Sequence, residues 1–330
     1  MNDRVVLGYH GGPDASAAIG WFVERTGAEV VAVIVDVGQG GEAPDVLRGR
    51  ALECGAADAV VVDARDEFAE RHCLPALRAD ALDADGSPLV SALSWPLVAE
   101  HLTDAARKSG ADAVAPACAA ERPRFASGIG ALAPDLRIVS PELTREEAMS
   151  WAADRGLPVA AKSSCPVHQN AWGRWAETGT AEPCDPDEVV ITFDRGVPVA
   201  LDGETVTFFQ AVRELNRRAG AQGVGRFDGG RTGAIREAPG AVALISAHRE
   251  LEDLTLERDL ARFKRTASRR WSELVRDGLW FSPLKEALDA FIEHTQQHVS
   301  GEVRLVLHAG RAVVTGRRSE ESLHDFPLAS

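Results

Sequence analysis

A chain of 330 residues is long enough for two modest domains, and 45% hydrophobic with 26% charged residues is the balance of a globular protein. Its formal net charge of −14 repels nucleic acid and anionic membranes, so neither is expected as a partner. No apolar stretch is long enough to span a bilayer, and the run after Met1-Asn2-Asp3-Arg4 is too short for a signal peptide, so a cytoplasmic protein is expected.

The first half alternates strand and helix patterns. Residues 5–9 read as a strand, and 14–26 as a helix with Ala18, Ile19, Phe22 and Val23 on one face. Residues 29–37 form a β-rich run ending in Gly38-Gln39-Gly40, 44–54 a helix stopped by Gly55, and 59–63 a third strand. A long helix over 91–109 and strands over 113–116 and 136–140 follow. This order predicts an α/β fold with a doubly wound parallel sheet, whose ligands lie beyond the carboxyl ends of the strands.

A stretch rich in Ser, Gly, Pro and Cys, residues 162–186, reads as a boundary between a domain of residues 1–162 and one of residues 163–330. The second half opens with strands over 188–193, 197–201 and 204–207, joined at Asp194-Arg195-Gly196 and Asp202-Gly203. A helix over 208–219, helical regions over 251–278 and 282–298, and a hairpin of 302–309 and 312–315 turned at Gly310-Arg311 complete the pattern.

The odd count of 5 cysteines, widely spaced, favours buried reduced thiols over a disulfide framework or a zinc site. His10 and His168 are far apart and lack companions at ligand spacing, so no metal site is expected of them. Trp271 and Trp280 read as helical core, and the basic run 262–270 as a solvated helix face.

The segment with chemistry in it is Gly8-Tyr9-His10-Gly11-Gly12-Pro13-Asp14-Ala15-Ser16, between the first strand and the first helix. Two glycines admit a ligand close to the backbone, and a helix start offers free N–H donors with a positive dipole end. Ser16 adds a hydroxyl in the first turn. The combination suits a phosphate or pyrophosphate, although the spacing is neither that of the GxxxxGK[ST] loop nor of GxGxxG, and plain turn chemistry explains the same residues.

With Asp36-Val37-Gly38-Gln39-Gly40, this turn resembles the argininosuccinate synthase family. The likeness runs on through Pro88-Leu89-Val90-Ser91-Ala92-Leu93-Ser94, Arg124-Phe125, Gln169-Asn170 and Gly173-Arg174. It is strongest in Arg218-Ala219-Gly220-Ala221-Gln222-Gly223-Val224-Gly225-Arg226 and continues through Glu237-Ala238-Pro239-Gly240 and Asp277-Gly278-Leu279-Trp280-Phe281-Ser282-Pro283-Leu284 to His308-Ala309-Gly310-Arg311. The resemblance implies an ATP-pyrophosphatase-type nucleotide-binding domain followed by a mixed α+β synthetase domain. It implies an ATP-dependent ligase in which ATP, with Mg²⁺, adenylylates citrulline and the aspartate amine then displaces AMP. It places ATP against Gly8, Tyr9, His10, Gly11, Gly12, Pro13, Asp14, Ala15, Ser16, Val35, Asp36 and Gln39, and an amino-acid-like substrate against Ser91, Arg124 and Asn170. No catalytic residue is assigned.

Departures from the family pattern cluster at the substrate positions. His10, Pro13 and Ala15 stand where the family has Ser, Leu and Thr. Ser87 stands for a Tyr, Trp95 for an Arg and Pro166 for a citrulline-binding Ser. The loop Ala117-Cys118-Ala119-Ala120-Glu121-Arg122-Pro123 is shortened and lacks the Thr, Asn and Asp that hold aspartate; Gly229-Gly230-Arg231-Thr232-Gly233-Ala234-Ile235-Arg236 is shortened where a Glu and Tyr bind citrulline. The family's C-terminal arm is not matched after Phe326-Pro327-Leu328-Ala329-Ser330, so the expected homo-oligomer is a dimer or an altered tetramer. Two functions fit: a ligase for other substrates, or a non-catalytic paralog acting as a structural or regulatory partner.

Overall fold

The computed structural model describes residues 3–116, 122–156, 169–176, 185–228 and 235–323. The chain divides into two compact units: Met1–Arg65, Ser94–Asn170 and Asp277–Phe281 in the first, Asp66–Leu93, Ala171–Arg276 and Ser282–Ser330 in the second. Much of the Ser-, Gly- and Pro-rich stretch 162–186 lies outside the described residues.

In the first unit, strands β1 (Arg4–Gly8), β2 (Glu29–Asp36), β3 (Asp58–Asp63), β4 (Ala113–Ala115) and β5 (Arg137–Ile138) form one parallel sheet in the order β3-β2-β1-β4-β5. The apolar run Val30-Val31-Ala32-Val33-Ile34-Val35 is buried throughout, which a strand covered on both faces requires. The first helices in the chain are α1 (Pro13–Trp21), α2 (Pro44–Glu53), α3 (Arg65–Phe68), α4 (Leu74–Arg78), α5 (Ser91–Ser109), α6 (Arg122–Leu132) and α7 (Arg145–Asp154), of which α4 and all but the first residue of α3 belong to the second unit. One core joins Val5, Leu7, Ile19, Phe22, Val30 and Ile34. The chain runs from β1 outward to β3 on one side and returns to β4 on the other. In sheets with such a reversal of order, ligands bind at the carboxyl end of the strands beside it, here β1.

The helix expected over 14–26 is α-helical to Trp21 and closes through a π turn, Phe22–Thr26, ending at Gly27 with φ 68°. Sequence patterning passed over α3, α4, α6 and α7, although α7 opens on a full capping box between Thr144 and Glu147.

The second unit holds β6 (Arg174–Ala176), β7 (Asp187–Asp194), β8 (Val197–Leu201), β9 (Glu204–Thr205), β10 (Arg226–Asp228), β11 (Ile235–Glu237), β12 (Gly301–His308) and β13 (Arg311–Arg318). They form a five-stranded antiparallel sheet ordered β13-β12-β7-β8-β9 and a three-stranded one ordered β10-β11-β6. Alternate residues Val189, Ile191 and Phe193 of β7 and Val303, Leu305 and Leu307 of β12 are buried, as one covered face demands. The remaining helices are α8 (Phe208–Ala221), α9 (Pro239–Thr255), α10 (Arg258–Arg276) and α11 (Pro283–Thr295).

Three expectations for the second half of the chain are corrected. The helical region begins at Pro239 rather than 251, because Pro is well placed at a helix start, and it breaks at Leu256, whose backbone is extended. The final hairpin turns at Ala309-Gly310, which take φ 47° and 81°, rather than at Gly310-Arg311. Trp271 is core at 0% exposure, but Trp280 lies in a turn outside any helix and is only half-buried.

Candidate functional site

The chain leaves β1 at Gly8 and turns into α1 within five residues. Gly11 takes φ +80°, and a Cβ there would come within 2.4 Å of Leu47 Cδ2, so the turn closes tightly against α2. Gly12 is the N-cap, in extended backbone and with no side chain to meet the first helical amides. Pro13 has no amide to satisfy, and the first intrahelical bond runs from Ser16 N–H to Gly12 O at 2.9 Å. The Asp14 and Ala15 amides precede it and have no acceptor within the helix, at the positive end of its dipole.

The surrounding side chains lock this turn. Gly12 N–H donates to His10 Nδ1 at 3.2 Å, which in the neutral ring leaves the proton on Nε2. Arg50, 5% exposed, donates to Gly11 O at 3.1 Å and grips Glu42 through two bonds of 2.7 and 2.6 Å. The Arg50 guanidinium holds the Glu42 carboxyl below the usual carboxylate range. Asp14 is exposed, and its carboxylate stands 3.6 Å from Arg145.

Ser16 sits elsewhere than the mouth of the turn. It is 2% exposed, and its hydroxyl shares a 3.0 Å hydrogen bond with the Tyr9 hydroxyl in the core. Burial pushes the Tyr9 phenol well above its ordinary pKa. Ala15 is also buried. The donors left at the turn belong to the backbone.

The loop after β2 is similarly self-contained. Asp36 Oδ1 accepts from Gly38 N–H at 2.9 Å, Gln39 Oε1 accepts from Val37 N–H at 2.7 Å, and Gln39 Nε2 donates to Val35 O at 3.0 Å. Gln169 Nε2 holds the loop through Gln39 O at 2.6 Å. Because Gly8 pairs with Val33 in the sheet, Val35, Asp36 and Gln39 are brought to the same carboxyl edge as the glycine turn.

The substrate candidates are placed as follows. Asn170, 5% exposed, donates to Ser94 Oγ at 2.7 Å on α5. Arg124 lies half-buried on α6, next to Phe125, whose ring meets Trp95 edge-on at 5.7 Å. Trp95 is 3% exposed, and its indole N–H has no hydrogen-bond partner. Ser91 starts α5 and is half-buried. Ser87, in the second unit, is 2% exposed and donates from Oγ to Asp85 Oδ1 at 2.6 Å. The loop residues 117–121, Cys165, Pro166, His168 and the shortened loop 229–234 lie outside the described residues, as do Cys118 and Cys184; Cys54 and Cys73 are buried free thiols.

Lys264 lies in the basic run 262–270 expected to be a solvated helix face, and it is buried instead. Lys264 is 1% exposed and pairs with Glu252 at 2.8 Å and Asp80 at 3.6 Å, while Gln296 bridges Glu252 and His248 with bonds of 2.7 and 2.8 Å. Its signal was present: Lys264 falls three and seven residues before Ala267 and Trp271, on the apolar side of α10. Asp80, His248 and Glu252 bring ligand-type atoms within 4.8 Å of one another, but the Lys264 ammonium already supplies that position with positive charge.

A glycine turn between the central parallel strand and a helix, beside the reversal of strand order, is the arrangement found in nucleotide-binding α/β folds. The chain belongs to the argininosuccinate synthase family: residues 4–158 match the arginosuccinate synthase N-terminal HUP domain and residues 164–330 the arginosuccinate synthase C-terminal domain. That HUP domain is an ATP-binding fold, and the family is one of ATP-dependent ligases. Among the described residues, no helix is long and apolar enough to cross a membrane.

Proposed function

We propose that this chain binds ATP at the Gly11-Gly12 turn and acts as an adenylate-forming ligase on amino-acid-like substrates other than the family's citrulline and aspartate, as a homo-oligomer. The observation that carries this reading is the backbone cradle itself. The Asp14 and Ala15 amides do not depend on the side chains that differ from the family pattern. A substrate oxygen attacks the α-phosphorus, the bond to pyrophosphate breaks, and an amine then displaces AMP. Preorganised donors at the helix start stabilise the charge that develops on the pyrophosphate. The donor set also suits a magnesium ion that arrives with the triphosphate. Asp14 is exposed and only loosely paired, an oxygen ligand of the kind this ion takes, and when bound the ion would neutralise phosphate charge.

The change of substrate is supported by two positions. Ser87 spends its hydroxyl on Asp85, and Trp95 is packed against Phe125, so neither offers a polar group where the family uses Tyr and Arg. A site built on hydrogen bonds loses its substrate steeply when those partners go.

The test is exchange of labelled pyrophosphate into ATP with a panel of ureido compounds and amino acids, run beside calorimetric titration of ATP and Mg²⁺. Exchange stimulated by a panel member other than citrulline is expected. Absence of both exchange and nucleotide binding at millimolar ATP overturns the reading in favour of a non-catalytic structural or regulatory paralog.

A further inference from the structure

Helix α11 packs with a lysine inside and a leucine outside. Lys285 is 5% exposed, pairs with Asp289 at 2.8 Å and lies 5.6 Å from the centre of the Trp271 ring; Ile292 and Thr295 are buried as well. Leu284 is 47% exposed, and Ala287 and Ala290 are exposed with it. Leu284, Ala287 and Phe291 recur three and four residues apart, which places them in one stripe along the helix. On α10, Phe263 is 61% exposed and widens the stripe, its ring meeting that of Phe291 edge-on at 5.3 Å. A contiguous apolar patch among charged residues is the mark of an interaction surface.

The two helices that carry the stripe differ in the sign of their free charge. On α10, Arg265 is met by Asp253 at 2.7 Å and Arg270 by Glu273 at 2.8 Å, and Arg258 and Asp259 cancel in sum. That leaves Arg262 and Arg269, both exposed and, among the described residues, without an ion-pair partner within 4 Å. On α11, Asp289 is taken up by Lys285, which leaves the exposed Glu286 and Glu293, likewise without such a partner among the described residues. Each couple is spaced by seven residues, two helical turns or about 10 Å. One helix therefore offers two cations and the other two anions at the same separation.

A surface with an apolar stripe, a basic helix and an acidic helix is complementary to itself. A two-fold rotation about an axis through the stripe lays each basic helix against the acidic helix of the other copy. An acidic partner would be repelled by Glu286 and Glu293, and a basic one by Arg262 and Arg269, whereas a second copy of this chain satisfies both. We propose that α10 and α11 form the isologous interface through which two copies of this chain pair. Phe263, Leu284 and Phe291 of both copies pack about the axis, and Arg262 and Arg269 of each copy face Glu286 and Glu293 of the other. The equal spacing of the couples lets both contacts form at once. The proposal rests on the homo-oligomer in the reading above, to which it assigns a face, and is independent of the ligase chemistry.

Light scattering on the full chain at micromolar concentration tests it. The parent should have at least twice the mass of a single chain. Phe263→Glu should halve the parent's mass and keep its circular-dichroism spectrum, because the side chain is exposed. Two further proteins reverse one helix each: Arg262→Glu with Arg269→Glu, and Glu286→Arg with Glu293→Arg. Each should self-associate about tenfold or more weakly, since like charges then face one another. Mixed, the two should pair again, because each complements the other, and native mass spectrometry should show the mixed dimer above either self-pair. Both remain net negative, as the parent is at −14, so overall charge does not draw them together. A parent that stays monomeric overturns the homo-oligomer and this face together. A parent that assembles overturns this face alone if Phe263→Glu keeps its mass, or if the reversed proteins do not combine on mixing.

Discussion

Gly11 and Gly12 carry different duties. Gly11 needs its conformation: φ +80° and the approach of Leu47 leave no room for a side chain. Gly12 takes φ −73° and ψ 160°, angles open to any residue, so its value lies in access to the amides behind it. Gly12→Asp keeps an allowed backbone but adds a carboxylate at a buried position, where phosphates are expected. ATP affinity should fall about a hundredfold or more, since like charges at contact distance in a partly dry site cost several kcal/mol. Titration calorimetry with a parallel circular-dichroism melt separates the two effects; undiminished affinity would remove ATP from this turn.

Lys264 poses a different residue-scale problem. Replacing it by Ala strands Glu252 and Asp80 without their ammonium, and breaking a buried pair in this way costs about 3–5 kcal/mol. Burial by itself would raise the Asp80 pKa, but Lys264 and the neighbouring cations overcome that and hold it at about 2, below its ordinary 3.8. A carboxyl depressed in the folded state stabilises above its unfolded pKa and loses that contribution as pH falls through the folded value. Urea unfolding should accordingly show stability declining between pH 3.8 and about 2 from this group. In Lys264→Met the folded-state pKa rises towards or past 3.8, so the decline from this group should shrink or reverse. A variant whose acid profile overlays the parent would show that Lys264 does not set the Asp80 titration.

At the scale of elements, what was legible followed from how local its causes are. The run 29–37 reads directly as a buried parallel strand, because both faces are apolar and nothing distant is needed to decide it. Gly11-Gly12 was legible for the same reason: backbone donors at a helix start depend on the chain alone. The inward hydroxyl of Ser16 depends on Tyr9, and the burial of Lys264 on Glu252, twelve residues away on another helix. Spacing to Ala267 and Trp271 places Lys264 on the apolar side of α10, but its partner, like that of Ser16, could not be read from spacing. The start of α9 was missed because Pro239-Gly240 looks like a turn signal. In the structure Gly240 is there for helix packing: a Cβ would lie 2.8 Å from Val212 O on α8. Gly240→Ala should therefore destabilise the second unit by about 1–3 kcal/mol, although alanine is the better helix former. A gain in denaturation midpoint would mean the α8–α9 contact relaxes freely.

At the scale of the whole molecule, the question is which reaction the chain completes. Given ATP, Mg²⁺, citrulline and aspartate, it should form argininosuccinate at least about a hundredfold more slowly than a synthase that keeps the family's substrate groups. Adenylylation needs the ureido oxygen aimed at the α-phosphorus. Of the positions aligned with its holders, Ser87 gives its hydroxyl to Asp85, while Pro166 and the shortened loop 229–234 lie outside the described residues. Attack by aspartate then needs both its carboxylates bound. The stretch that does so in the family is here Ala119-Ala120-Glu121-Arg122-Pro123, and Glu121 adds like charge towards an anionic substrate. Binding ATP is a separate matter, because the turn's donors are backbone groups. The expected pattern is therefore nucleotide binding with argininosuccinate near the detection limit by mass spectrometry. Formation at a rate comparable to such a synthase would show that Arg122 and Arg124 recover the aspartate carboxylates by two-pronged pairing, and Arg124→Ala would then abolish it.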